Sequence, residues 1–221
     1  NGEIIVVDNH STDRTLEIAR KYTKKVFTCG NERSAQRNFG IEKAEGKWIC
    51  FLDSDMSLQF ETLIEFWDLA LDYDAFYIPE KIVGKGFWIK VRNFERSFYN
   101  ATSIDCIRLF KKSLFVPFDE NLTGPEDWDF DRRFKGRKGI LKTPLLHDEG
   151  KFNLKNYLDK KMYYSKSFEA YRSKWGNDRI VRKQLGFWYR CVRVFLRKWW
   201  KLLLHPVLTF VNIVPPTKIY F

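Results

Sequence analysis

Two apolar runs that each break off on aspartate constrain this chain most. Ile4-Ile5-Val6-Val7 stops at Asp8, and the run over 47–52 stops at Asp53-Ser54-Asp55. Neither run alternates apolar with polar residues, the pattern of strands covered on both faces in a parallel sheet. Helix-like segments fall between such runs. Ser11-Thr12-Asp13 supplies N-cap candidates for a helix over 11–22, and Asn31 for one over 31–44 that stops at Gly46. A strand over 26–29, a helix over 58–71 and a strand over 74–78 complete the series. The spacing predicts an α/β fold with a mostly parallel sheet and helices on its faces.

The later chain reads differently. Residues 87–99 follow Gly84-Lys85-Gly86 and read as a long connection or a mobile helix, and 104–110 as a strand. The loop Asn121-Leu122-Thr123-Gly124-Pro125 leads into a helix over 126–134, and a short strand over 140–142 precedes Pro144 and His147. Beyond Gly150 the pattern is helical, in two long segments near 153–174 and 178–204.

Charge divides the chain at the same place. Lys and Arg number 39 against 28 Asp and Glu, yet residues 1–150 carry a net charge of −2 and residues 151–221 one of +13. A near-neutral body with a cationic appendage argues against nucleic acid as a partner. Over 187–204, Arg190, Arg193, Arg197, Lys198 and Lys201 fall on one side of a helical projection. Trp188, Phe195, Trp199, Leu202 and Leu203 lie largely opposite, with Trp200 at the flank. That pattern predicts a helix lying on an anionic membrane surface, or one packed on its own domain. Its cations, with His205-Pro206 and Pro215-Pro216, interrupt any membrane span. Cys29, Cys50, Cys106 and Cys191 lack metal-ligand or redox-motif spacing and read as reduced core thiols of a cytosolic protein.

Ligands in open α/β sheets collect beyond the carboxyl ends of the strands. Asp53 and Asp55, alternate residues at such an end, can point into one crevice and share a hard cation, Mn2+ or Mg2+. On spacing alone, solvated loop carboxylates or a helix cap is the simpler reading.

Linked motifs add a second kind of information. Ile4 to Thr15, Ala35-Gln36-Arg37-Asn38-Phe39-Gly40-Ile41, Ala44-Glu45-Gly46-Lys47-Trp48-Ile49, Phe51-Leu52-Asp53-Ser54-Asp55 and Gly124-Pro125-Glu126-Asp127-Trp128-Asp129 occur in the order found in family 2 glycosyltransferases, which this sequence resembles. The resemblance is strong over 3–58 and weak elsewhere apart from 124–129; the family's first strand would lie upstream of Asn1, so the chain reads as an N-terminally truncated fragment. It implies a GT-A fold, with a nucleotide-sugar-binding and catalytic domain over 1–150 and a helical basic extension over 151–221.

The resemblance also implies roles. Asp8 would accept hydrogen bonds from the nucleotide base, Arg37 would lie near the base or diphosphate, and Glu126 would belong to the donor site. Asp53 would hold the ribose or a metal-bound water, Asp55 would ligate the metal, and Asp127 would be the catalytic base. Asp8 reads equally as the start of an Asx-turn, and Arg37 as a solvated helix residue. Asp127 reads also as a first-turn helix acid. Asp129 and Asp131 are expected to pair with Arg132, Arg133 or solvent. Some related enzymes use a histidine at the place of His147 as a metal ligand; a hydrogen-bonded structural histidine fits as well. His10 stands where the family usually has glycine.

The implied activity is inverting transfer of a sugar from a nucleotide diphosphate to a hydroxyl of a lipid-linked or surface glycan. UDP-sugars are favoured as donors and GDP-sugars are the alternative, and the work would be done at the cytoplasmic face of the cell membrane. Two other classes remain: a sugar nucleotidyltransferase, and a non-catalytic basic membrane-binding protein on a degenerate scaffold.

Overall fold

The computed structural model describes residues 2–151 and 153–213. β1 (Val6–Asp8), α1 (Thr15–Ala19), β2 (Val26–Thr28), α2 (Arg33–Lys43) and β3 (Trp48–Cys50) open the chain with the expected alternation. β4 (Met56–Ser57), α3 (Phe60–Leu69), β5 (Ala75–Tyr77), β6 (Glu80–Lys85), α4 (Phe87–Arg96) and β7 (Leu109–Lys111) follow. α5 (Glu126–Arg133), β8 (Lys138–Ile140) and β9 (Leu145–Lys151) lead to the C-terminal helices.

The strands form three ladders. β1 pairs with β2 in parallel, and a four-stranded sheet has the order β3-β7-β5-β8. Within it β7 runs antiparallel to both β3 and β5, while β5 and β8 are parallel. The expected α/β architecture is present, but the pairing is mixed. No crossover helix runs directly into β7: after α4 the chain passes through turns and re-enters the sheet in the opposite sense. A third sheet, β4-β9-β6, has a central strand that carries His147 opposite Met56 and Ile82. Residues 87–99, expected as a connection or mobile helix, form α4, which presents Ile89, Val91 and Phe94 to the interior.

The core beneath the four-stranded sheet is aromatic. Phe118 stacks on Phe130 at 4.3 Å, and Phe110 approaches Phe130 at 5.1 Å. Phe51 meets Phe118 edge-on at 5.6 Å, and Phe134 lies one helical turn beyond Phe130. Such ring contacts add about 0.5–1.5 kcal/mol each beyond area burial. This cluster ties β3, β7 and α5 to one another.

The C-terminal segment departs from expectation. In place of two long helices there are α6 (Leu154–Ser165), α7 (Phe168–Trp175), α8 (Arg179–Leu185), a π-turn at Tyr189–Arg193, α9 (Val194–Leu196), α10 (Trp199–Leu204) and α11 (Pro206–Ile213). Gly176 at φ 67° and Pro206 mark two of the breaks. The π-turn's wider winding rotates the faces that follow it. The single amphipathic helix over 187–204 is therefore absent and its faces are split. Phe195 and Val194 are buried against Phe94, Phe98, Tyr99 and Ile104, with Leu202 packed alongside. Lys198 turns inward to donate to the Ser97 carbonyl at 2.7 Å, and Arg190 lies over the Trp128 ring. Leu196, Trp199, Trp200, Leu203, Leu204, Val207 and Phe210 stay exposed, beside exposed Arg193 and Arg197. No helix of the described residues is long and apolar enough to cross a membrane. Pro215-Pro216 and the Cys191 side chain lie outside the described residues. Cys29, Cys50 and Cys106 are free thiols, and burial pushes Cys50 up to about 12.

Phe130 is wholly buried at the centre of the aromatic cluster. Phe130→Ala is expected to cost roughly 3–5 kcal/mol, measured as a lower urea midpoint at unchanged m-value.

Candidate functional site

The site is assembled around one buried cation. Arg37, on the inward face of α2, lies over the Phe51 ring at 4.5 Å and the Phe118 ring at 5.3 Å, and its side chain is only 8% exposed. A guanidinium so far from water needs anionic partners. It finds Asp127 Oδ1 at 2.5 Å through Nη1 and Asp53 Oδ1 at 3.0 Å through Nη2. Burial opposes the charge on Arg37, but Asp127 and Asp53 outweigh it and hold the guanidinium above its ordinary range. Burial likewise pushes the Asp53 carboxyl up, and the charges of Arg37 and Arg108 more than reverse this, leaving it lowered.

Asp127 reaches Arg37 because α5 starts where it does. Pro125, which has no N–H to lose, precedes the helix, and the acids Glu126, Asp127 and Asp129 occupy its first turn. Gly124 holds φ 110°, and a Cβ there would stand 2.7 Å from Tyr164 Cβ on α6. The Gly124 N–H donates to the Glu126 carboxylate. Glu126 is buried and contacts Arg33 at 2.6 Å; burial first, and then the Asp127 charge, raise its carboxyl above the ordinary range.

A second acidic group lies on the neighbouring sheet. Asp55 accepts at its backbone oxygen from Asp148 N at 2.7 Å, and its carboxylate meets His147 Nε2 at 3.2 Å. His147 Nδ1 faces Glu80 Oε2 at 3.5 Å, and this contact raises the imidazole above its ordinary range against its partial burial. Glu80 in turn contacts Arg96 at 2.5 Å and Arg108 at 2.8 Å; burial opposes its charge, but these cations hold it well below the usual carboxylate range.

Among the described residues no group of three or more His, Cys, Asp or Glu is arranged to hold a metal ion. The protein thus offers a cation at most the Asp55 carboxylate and the His147 imidazole. That set fits Mn2+ or Mg2+, which take carboxylate oxygens and complete their shells with water and substrate phosphates. Glu80 behind Nδ1 supplies the orienting contact that metal-bound histidines normally have.

Arg37, Asp53, Glu126 and Asp127 thus form one connected group, and Asp55 with His147 another. Arg108 bridges the two, with Nη1 at 4.0 Å from Asp53 and Nη2 on Glu80. Asp8 stands at the end of β1, buried, and takes hydrogen bonds from Ser11 N at 2.8 Å and Ser11 Oγ at 2.5 Å, so the Asx-type turn is formed. His10, where the resembled family has glycine, adopts φ 54°, a left-handed backbone that glycine takes without strain. Asp129 is buried on Arg133, Trp175 and Lys174, whereas Asp131 pairs with Lys138 rather than with Arg132 or Arg133.

Sequence reading missed Glu80 and Arg108. Arg108 had a legible signal: a lone charge in the apolar run Cys106-Ile107-Arg108-Leu109-Phe110 has to be buried with a partner.

The alternating layers and the acidic crevice at the ends of β1 and β3 define a nucleotide-binding α/β fold of the GT-A type. The family described as Glycosyl transferase family 2 matches residues 1–119, and the chain belongs to it. An uncharacterised glycosyltransferase of Haemophilus influenzae is 45% identical over 62 residues, 25% of this chain and 25% of that protein. The poly(ribitol-phosphate) beta-N-acetylglucosaminyltransferase TarS of Staphylococcus aureus is 38% identical over 68 residues, 28% of this chain and 12% of TarS. These alignments cover a quarter or less of either relative. The crystal structure of S. aureus TarS in complex with UDP-GlcNAc superposes with a TM-score of 0.56 at 20% identity, covering 95% of this chain and 70% of that one. The likeness in structure is one of fold.

Replacing Arg37 by Met leaves Asp53 and Asp127 without their shared counter-charge. The expected loss is roughly 2–4 kcal/mol at neutral pH, below that of a wholly buried pair because both carboxylates keep an edge in solvent. The Asp53 carboxyl is lowered in the folded state, so its share of stability is present above the unfolded carboxylate range and lost as pH falls through the folded value. The gap between wild type and Arg37→Met should therefore narrow below about pH 4, read from urea denaturation at stepped pH.

Proposed function

We propose that this chain carries the catalytic centre of a glycosyltransferase that moves a sugar from a nucleotide diphosphate to an acceptor hydroxyl with inversion. The observation that carries the reading is the single buried Arg37 joining Asp53, at the end of β3, to Asp127, at the start of α5. Family membership supplies the reaction class. The UDP-GlcNAc bound by S. aureus TarS favours a UDP-sugar over a GDP-sugar as donor.

Asp8 and Asp53 line the donor side, where they accept hydrogen bonds from base and ribose. Arg37 is placed to turn from Asp127 to the donor's diphosphate, which frees the carboxylate as the donor enters. Asp127 then takes the proton of the acceptor hydroxyl while that oxygen attacks the anomeric carbon. The bond from the anomeric carbon to the diphosphate oxygen breaks, and the nucleoside diphosphate leaves with the electron pair. A single displacement of this kind inverts the centre. Asp55 and His147 would hold Mn2+ or Mg2+, whose charge offsets that gathering on the leaving group. Glu80 keeps the His147 ring in place.

The acceptor reading is a glycan or a lipid-linked saccharide at the cytoplasmic face of a membrane. Exposed Trp199, Trp200, Leu203 and Leu204 beside Arg193 and Arg197 supply the aromatic and cationic elements of an interfacial contact with anionic lipid.

Titration with UDP and GDP, with and without Mn2+, tests the donor side. UDP should bind with Mn2+ and lose at least tenfold in affinity in Asp55→Ala. Asp127→Asn should lower turnover by roughly 10²–10⁴-fold with UDP affinity nearly unchanged, and equal turnover would remove the base. Vesicles rich in phosphatidylglycerol should sediment the wild type and release the Trp199→Ser/Trp200→Ser variant, while neutral vesicles should bind neither.

A further inference from the structure

Asp127 has two sides. One oxygen is held by Arg37; the residue also lines a cavity of about 200 Å³ that runs between α4, the 104–108 segment, the start of α5 and the C-terminal helices. The lining includes Arg108, Lys161 and Arg190. This is small beside the pockets of about 300–1,000 Å³ that enclose whole ligands. It suits one terminal group of a larger molecule.

Its charge is unbalanced in a specific way. Arg92 is answered by Glu149 at 2.5 Å, but Glu80 alone answers both Arg96 and Arg108. The Arg108 side chain is nine-tenths buried, and its Nη1 has no hydrogen-bond partner; its nearest carboxylate is Asp53 at 4.0 Å. A buried guanidinium N–H without an acceptor is costly and marks a place where a ligand oxygen belongs. Lys161 is exposed as a residue, yet its ammonium is pushed down to about 8, by desolvation first and then by the charge of Arg190. Cations thus crowd one another in a cavity that contains the proposed base.

We propose that the acceptor carries a phosphate group, which seats in this cavity on Arg108, Lys161 and Arg190 while the hydroxyl to be glycosylated faces Asp127. Three cationic side chains converging from different elements suit a tetrahedral oxyanion better than a planar carboxylate, which one arginine fork satisfies. The assignment rests on the reading of Asp127 as the base. The phosphate takes no part in bond making. It fixes the acceptor so that the hydroxyl proton passes to Asp127 and the oxygen to the anomeric carbon. The same chemistry is offered by a polyol phosphate and by a prenyl phosphate lipid.

The test is calorimetric, on the full chain, with UDP and Mn2+ titrated first and then held at saturation. Glycerol 3-phosphate and farnesyl phosphate are the two phosphate probes, with glycerol and farnesol as their neutral counterparts. At least one phosphate probe should bind, its neutral counterpart at least tenfold more weakly. Arg108→Gln should weaken that probe at least tenfold. Lys161→Gln, a change at an exposed residue, should weaken it threefold or more without moving Tm or UDP affinity. Binding of glycerol 3-phosphate assigns a polyol phosphate, and binding of farnesyl phosphate alone assigns a lipid. UDP binding with neither phosphate bound, or phosphate binding indifferent to both substitutions, overturns the acceptor assignment and leaves the donor reading standing. Absence of UDP binding overturns the donor reading and the acceptor assignment with it.

Discussion

A charge that has no access to water organises this molecule. The Arg37 guanidinium lies on two aromatic rings and is neutralised by carboxylates 16 and 90 residues away in sequence. Because an unpaired buried cation is so unfavourable, the end of β3 and the start of α5 must both come to it. Phe118 and Phe130, stacked below, set the depth at which they meet. The aromatic core and the acidic crevice are thus one construction. The apolar part gives the cation a floor, and the cation fixes where the acids stand.

Local pattern carried the first half of the fold. Apolar runs at β1 and β3, glycine stops and cap-like residues were enough to place the early strands and helices, since each is decided by side chains near in sequence. Boundaries shifted: the strand expected over 4–7 is Val6–Asp8, and the helix expected over 11–22 is only Thr15–Ala19. The sense of β7 was not legible. It depends on how residues 97–108 turn, and no local signal distinguishes a strand entering upward from one entering downward. The tail failed for a related reason. Helical projection assumes constant winding, and the π-turn over Tyr189–Arg193 breaks it, so residues expected on one face lie on two.

In the candidate site, motif order placed Asp53, Asp55, Asp127 and His147, and the structure brings them into two adjoining groups. The sequence could not show that Arg37 spans Asp53 and Asp127, or that Glu80 stands behind His147, because both depend on contacts across sheets. Glu80 precedes no recognisable motif; it is found only once β6 lies beside β9. The C-terminal helices, which composition set apart as an appendage, meet the body at Trp128, Trp175 and Tyr171 and lend Lys161 and Arg190 to the cavity.

Gly124 gives this arrangement its tolerance. Because α6 rests where a methyl group on residue 124 would have to be, the gap between the proposed base and the helix beside it is gauged by an atom that is missing. A gauge of that kind works in one direction only. The cavity can be reshaped freely from the α6 side, by exchanging one side chain for another, whereas position 124 admits a single residue. Anyone re-engineering this pocket for a different acceptor therefore has a movable wall and a fixed datum, and should cut from the wall.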